Sequence, residues 1–184
     1  IIQSFFILAF LAVNVSCTSQ KSATKDKKLI GMYEYYISKM SIEEKVGQMT
    51  QLNLDVVCEG EVYKLVEPHH LDAAKLHTAL VDYHVGSILN CGGHAYPHEQ
   101  WHEIIGGIQK VATTETSLKI PILYGIDAIH GANYVTGSTL FPQQLAQAAT
   151  FNPSLTEEGG RITAYETRAA GIPWNFSPVL DVGR

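Results

Sequence analysis

Ile120-Pro-Ile-Leu-Tyr-Gly-Ile-Asp-Ala-Ile-His-Gly131 joins an apolar run to two groups capable of chemistry. It reads as a strand over 120–127, with Pro121 near the start, where a missing N–H donor costs least. Upstream lie a helix from Pro97 to Thr113, with Trp101, Ile104, Ile105 and Ile108 on one side, and a strand at Val85-Gly-Ser-Ile-Leu89. Before that strand, Asp72 to Tyr83 has helical spacing. Downstream, Asn152 can cap a helix from Pro153 towards Ala170, and Trp174-Asn-Phe-Ser-Pro-Val179 is a third strand. Strands separated by helices of ten or more residues pair in parallel through crossover connections, so the class is α/β. An open doubly wound sheet and a closed (β/α)8 barrel both fit this alternation. A barrel typically takes about 250 residues, so on that reading only its N-terminal part is present.

The rest of the chain agrees with a globular protein. Its 184 residues are 46% apolar and 17% charged, which suffices for a sizeable core and excludes general disorder. Thirteen Lys and Arg against eighteen Asp and Glu leave a formal charge of −5 without a basic run, so nucleic acid is not an expected partner. Leu29 to Met40 has helical apolar spacing, and Ser41-Ile-Glu-Glu44 fits a capping box before a helix through Val46, Met49 and Thr50. Residues 53–70, with scattered charge and Pro68, read as a loop or short excursions.

The N-terminal segment has its own reading. Phe5 to Val13 is an unbroken apolar run far shorter than the roughly 20 residues of a spanning helix, and it ends in a polar stretch, as a signal-peptide core does. Residues 1–17 are thus expected to be a leader, and Ser16-Cys17 resembles a bacterial lipoprotein cleavage site. Either Cys17 carries a lipid anchor or cleavage nearby discards it. Residues 18–28 form a polar, Lys-rich tether, and 29–184 the folded domain. The expected location is outside the cytoplasm: periplasmic or outer-membrane-anchored in a Gram-negative bacterium, otherwise secreted. The start at Ile1 without Met and the stop at Arg184, directly after Pro178-Val-Leu-Asp-Val-Gly, are expected of a fragment. Cys58 and Cys91 remain either a pair in an oxidising compartment or two free buried thiols.

Asp127 is the leading candidate for function. In parallel α/β folds, ligands sit at the carboxyl ends of strands. An acceptor-only carboxylate held there suits sugar hydroxyls, because each oxygen takes two donors and charge-assisted bonds are strong. The structural alternative is an Asp that caps the following turn, with His130 as a satisfied internal hydrogen-bonding group. Gly125 and Gly131 allow close backbone approach.

A set of ordered motifs carries a family resemblance. Met40-Ser-Ile-Glu-Glu-Lys-Val-Gly-Gln-Met-Thr-Gln51, Val85-Gly-Ser-Ile-Leu89 with Gly92-Gly93, Ile120 through Gly131, Thr139-Leu-Phe-Pro142, Glu166-Thr-Arg168 with Ala170-Gly171, and Phe176-Ser-Pro-Val-Leu-Asp-Val182 resemble, in order, the N-terminal domain of glycoside hydrolase family 3. This is a family of β-glucosidases and exo-glucanases. The resemblance implies a (β/α)8-type barrel followed by an α/β sandwich domain. It implies that Asp127, in a Gly-x-Asp-x-x-His-Gly motif, hydrogen-bonds the terminal non-reducing sugar of a β-linked glucan or oligosaccharide. It further implies a retaining hydrolase; no cofactor and no metal is implied. Its Asp nucleophile, its acid/base carboxylate and a Lys-His sugar-binding pair match nothing before Arg184, so no catalytic residue is assigned in this chain and the fragment is expected to be inactive. Arg184 looks like the first Arg of the family's Arg-Asp-Pro-Arg-Trp-Gly-Arg run and receives no ligand role.

Two rival functions come from other classes. A non-catalytic exported sugar-binding lipoprotein would keep Asp127 but lack the downstream nucleophile. A zinc peptidase would use His98-Glu-Gln-Trp-His102, which matches H-E-x-x-H. Pro97 places that motif in a first helical turn and no third ligand follows, so it is read as chance. His69-His70 beside Pro68 reads as solvated, Asp181 as a rim acceptor, and Tyr124 and Trp174 as core. Asn175-Phe-Ser177 matches a glycosylation acceptor but lies in an apolar strand.

Overall fold

The computed structural model describes residues 29–179. The segments expected to be a leader and a tether, with Cys17, and also Asp181 and Arg184, therefore lie outside the described residues. The chain divides into two compact units, the first ending at Ser41 and the second beginning at Ile42. The first contains helix α1 over 29–39, where apolar spacing predicts one. No helix among the described residues is long and apolar enough to cross a membrane.

The second unit is built on a four-stranded parallel sheet: β1 (Gln51–Asn53), β4 (Ser87–Leu89), β5 (Leu123–Ile126) and β6 (Trp174–Asn175). Register runs Gln51 to Ser87, Ser87 to Leu123 and Gly125 to Trp174. The spatial order follows the chain order without reversal. Doubly wound sheets bind ligands where strand order reverses, and these four strands have no such point. The short hairpin β2 (Gly60–Glu61) and β3 (Lys64–Leu65) stands apart from the sheet.

Helices fill the crossovers. α2 (Ile42–Gln48) leads into β1 and α3 (Ala73–His77) precedes β4. α4 (His98–Thr114) links β4 to β5, while α5 (Gln144–Ala148) and α6 (Pro153–Ala169) link β5 to β6. The expected caps form: the Asp72 carboxylate accepts from the N–H groups of Ala74 and Lys75 at 2.9 and 3.0 Å, and Asn152 accepts from Ser154 at 3.2 Å. α3 does not run unbroken to Tyr83, because Thr78–Asp82 widens into a π turn.

The core lies between the sheet and α4. Trp101, Ile104, Ile105, Ile108 and Ala112 are buried on one side of that helix. The Trp101 ring meets Tyr124 edge-on at 5.6 Å and Tyr96 at 5.4 Å. Tyr124 is fully buried, as expected, but Trp174 is 36% exposed and packs edge-on against Phe176 instead of in the core. β6 is the last strand in the described sheet, so Trp174 has a neighbouring strand on one side only.

One strand of the four-stranded sheet escapes the sequence reading, as do the two of the hairpin. β1 follows α2 where helical spacing continues through Met49 and Thr50, yet those residues only close the helix, donating to the carbonyls of Val46 and Gly47. Gly47 explains the fit: a Cβ there would lie 2.4 Å from the Tyr83 carbonyl oxygen, so α2 docks closely on the segment entering β4.

Candidate active-site edge

The carboxyl ends of the strands converge on the segment that follows β5. Asp127 comes directly after Ile126, half-buried, with its backbone and side chain both held by Asn90, which follows β4. Asn90 Nδ2 donates to Asp127 Oδ2 at 2.8 Å, and the Asp127 N–H donates to Asn90 Oδ1 at 3.0 Å. Among the described residues the second carboxylate oxygen, Oδ1, accepts no further bond. On the other side Asn175, the last residue of β6, accepts from the Ala128 N–H at 3.0 Å and donates to the Ala128 carbonyl at 3.2 Å. With its amide oriented to satisfy both groups, Asn133 donates to the carbonyls of Asp127 and Gly131 at 3.2 Å each.

Three asparagines thus immobilise the turn that presents the carboxylate. Asn90 adopts φ 49, a left-handed conformation that Asn tolerates better than most residues. The Tyr124 hydroxyl donates to the Asn90 carbonyl at 2.5 Å, tying this residue to the core. Burial pushes the Tyr124 phenol well above its usual pKa range, so it remains a neutral donor.

The glycines noted in the sequence do allow close approach, but to the chain itself. A Cβ on Gly125 would lie 2.5 Å from the Phe176 ring, and one on Gly131 would lie 2.1 Å from the Thr139 carbonyl oxygen. The loop that returns from Gly131 is anchored by Glu166 of α6, which accepts from both the N–H and the hydroxyl of Thr139 at 2.9 Å.

His130 is not the satisfied internal group of the structural alternative: its Nδ1 is buried and no partner lies within reach among the described residues. It lines a cavity of about 860 Å³ with Gln144, Asn152, Glu157, Asn175 and Ser177. Asp127 does not line that cavity, so the carboxylate and the imidazole face different spaces at the same sheet edge.

The remaining candidates separate clearly. His102 Nε2 lies 2.8 Å from the Ala169 carbonyl, and the nitrogen facing a carbonyl must carry the hydrogen, so it is already used as a donor. His98, Glu99 and His102 do not converge their ligand atoms into a cluster. His69 is 5% exposed, which corrects its reading as solvated; His70 is exposed. Cys58 and Cys91 are both free and buried. Burial, reinforced by the nearby Asp55 carboxylate, pushes each thiol up to about 12.

Sequence reasoning missed Asn90 as a clamp and considered Asn175 only as a glycosylation acceptor. The available signal was an Asn placed immediately after an apolar run, at the end where a parallel sheet gathers its site. It also missed Asp55, fully buried beyond β1, with Oδ2 accepting from the Tyr63 N–H at 3.2 Å and Oδ1 without a partner. Gly92 makes room for it: a Cβ there would lie 2.2 Å from the carboxylate.

The fold and this edge define a parallel α/β domain whose polar site is assembled at the carboxyl ends of successive strands. The family model of the glycosyl hydrolase family 3 N terminal domain matches residues 41–184, and the chain belongs to that family. A lysosomal beta glucosidase of Dictyostelium discoideum is 40% identical over 155 residues, covering 80% of this chain and 18% of that protein. A periplasmic beta-glucosidase of Salmonella typhimurium is 27% identical over 148 residues, covering 80% and 16%. The chain therefore spans less than a fifth of the length of these relatives. Among solved structures, a beta-glucosidase involved in saponin metabolism from intestinal bacteria superposes with TM-score 0.50 at 34% identity, over 78% of this chain and 15% of that one. A family 3 beta-N-acetylglucosaminidase from Paenibacillus reaches TM-score 0.59 at 23% identity over 78% and 25%, a likeness of fold alone.

Proposed function

We propose that the full-length protein is an exported retaining β-glucosidase, which removes terminal β-D-glucosyl units from glucans or oligosaccharides, and that Asp127 grips the terminal sugar. The carrying observation is the Asn90 clamp: two hydrogen bonds, at 2.8 and 3.0 Å, hold an acceptor-only group at the carboxyl edge of the sheet. A fixed carboxylate forms charge-assisted bonds to hydroxyl donors without first losing conformational freedom. The names of the Dictyostelium and Salmonella relatives support the glucosyl preference.

The reversal-free strand order supports closure into a (β/α)8 barrel. So does the apolar surface left on the last crossover, where Leu145 is 85% exposed and Phe151 93% exposed. A retaining mechanism places two carboxyl groups about 5–5.5 Å apart, one to attack C1 and one to protonate the leaving oxygen. On this reading both come from sequence beyond Arg184, and residues 18–184 alone turn nothing over. The apolar run Phe5–Val13 followed by Ser16-Cys17 supports export, with Cys17 as the lipid attachment point.

The test is the full-length protein assayed on aryl β-glucosides and β-glucan oligomers, beside its Asp127→Ala variant. Loss of one or two charge-assisted bonds, each contributing about 1.5–3 kcal/mol, should lower kcat/KM by about tenfold to about 20,000-fold. Wild-type protein that binds these sugars without hydrolysing them would make the domain a binding module, and an unchanged Asp127→Ala variant would misplace the pocket.

A further inference from the structure

Outside the Asp127 edge, the fold brings together three metal-ligating side chains that are far apart in sequence. Glu67 and His69 lie in the excursion between β3 and α3, and His94 lies in the segment after β4. One ligand atom from each falls within 4.8 Å of the other two. Glu67 Oε1 is 2.9 Å from His69 Nε2, and the His69 and His94 rings meet edge to face with centroids 4.1 Å apart. We propose that Glu67, His69 and His94 form a zinc site that pins the β3–α3 excursion to the segment leaving β4.

The surroundings have the features of a supported metal site. The His69 side chain is only 4% exposed, and its other ring nitrogen, Nδ1, is 2.7 Å from the Tyr96 hydroxyl. Metal-bound histidines characteristically have the second nitrogen held by such a partner, which sets the tautomer and the ring plane. Here a metal on Nε2 leaves the ring hydrogen on Nδ1, where it donates to the Tyr96 oxygen. Tyr96 is itself fixed, since its N–H donates to the Tyr134 carbonyl and its ring packs against Trp101. Gln100 Nε2 donates to the His69 carbonyl at 3.1 Å. His94 is positioned by the left-handed turn at Gly92 and Gly93, and the Cys91 thiol donates to its carbonyl at 2.9 Å.

The donor set selects the ion. Two imidazoles and one carboxylate suit zinc, with water completing a tetrahedron; calcium and magnesium demand oxygen ligands. With bonds of about 2.0–2.1 Å, ligand atoms on tetrahedral zinc stand about 3.3 Å apart, so the trio needs a contraction of at most about 1.5 Å. Glu67 can supply part of it, being 76% exposed and free to swing, and it also provides the entry path. The site shares its segment with Asn90, so the pinned chain is the one that holds Asp127. It is independent of the assignment of the sugar pocket.

The experiment uses tag-free full-length protein, freed of metal by chelation and titrated with zinc chloride in a calorimeter, with metal content and melting temperature measured in parallel. One zinc per chain and a zinc-dependent rise in melting temperature are expected. Cobalt(II) in its place should show the visible bands of a tetrahedral ion. Glu67→Gln and His94→Gln, both at solvent-accessible ligands, should weaken zinc binding at least tenfold, whereas His98→Gln should leave it unchanged. Folded wild-type protein that gives neither binding heat nor a melting shift overturns the proposal. So does stoichiometric binding that persists in both ligand variants.

Discussion

Replacing Asn90 by Gly tests whether the clamp positions Asp127 for function. Asn90 has φ 49, so Ala there would add left-handed strain, whereas Gly removes the side chain and tolerates the backbone. Two bonds disappear. The charge-assisted one to Asp127 Oδ2, at 2.8 Å, contributes about 1.5–3 kcal/mol; the neutral one from the Asp127 N–H, at 3.0 Å, contributes about 0.5–1.5 kcal/mol. If Asp127 grips the sugar as proposed, the first holds the carboxylate in place for it, so its loss should appear as a drop of about tenfold to 150-fold in kcat/KM on an aryl β-glucoside. The second holds the turn and should appear as a lower melting temperature. Asn90→Asp separates the effects further, because it sets a like charge against Asp127 and should be at least as damaging to kcat/KM. Asn90→Gly with kcat/KM within twofold of wild type would refute the positioning role, whatever happens to the melting temperature.

Gly131→Ala should be among the most damaging single changes: φ is 116 and the new Cβ would sit 2.1 Å from a backbone oxygen, so the return loop must move. A fall in melting temperature or in soluble yield measures this, and a wild-type melting profile would contradict it. Cys58 and Cys91 should resist alkylation in the native protein at pH 8, because thiols pushed up to about 12 carry almost no thiolate there. Mass spectrometry after iodoacetamide reads this, and labelling at the rate of a free cysteine would sink it. The same groups make stability pH-dependent. Their folded pKa lies above the ordinary 9.0, so the stabilisation is fully present below pH 9 and is lost as pH rises towards 12. Alkaline unfolding within that window, reduced in a Cys58→Ala variant, checks the sign.

Periodicity and local chemistry make most of the architecture legible in the sequence. Helix α4 follows from the apolar spacing of Trp101, Ile104, Ile105 and Ile108, and α6 from Asn152 and Pro153, because a helix face and a cap are properties of neighbouring residues. Asp127 stood out for a similar reason: a carboxylate ending an apolar run needs a purpose. β1 did not stand out, since three residues hold too little pattern and become a strand only by pairing with β4.

The α/β class, the family and the candidate carboxylate Asp127 were legible in residues close together in the chain or in motif order. Which groups meet is a property of the tertiary fold. Asn90 and Asp127, or Glu67 and His94, are joined by no local signal; parallel pairing returns each strand to the same edge and so gathers the segments that follow. Contacts of that kind are set by crossover geometry and burial, which no window of neighbouring residues contains.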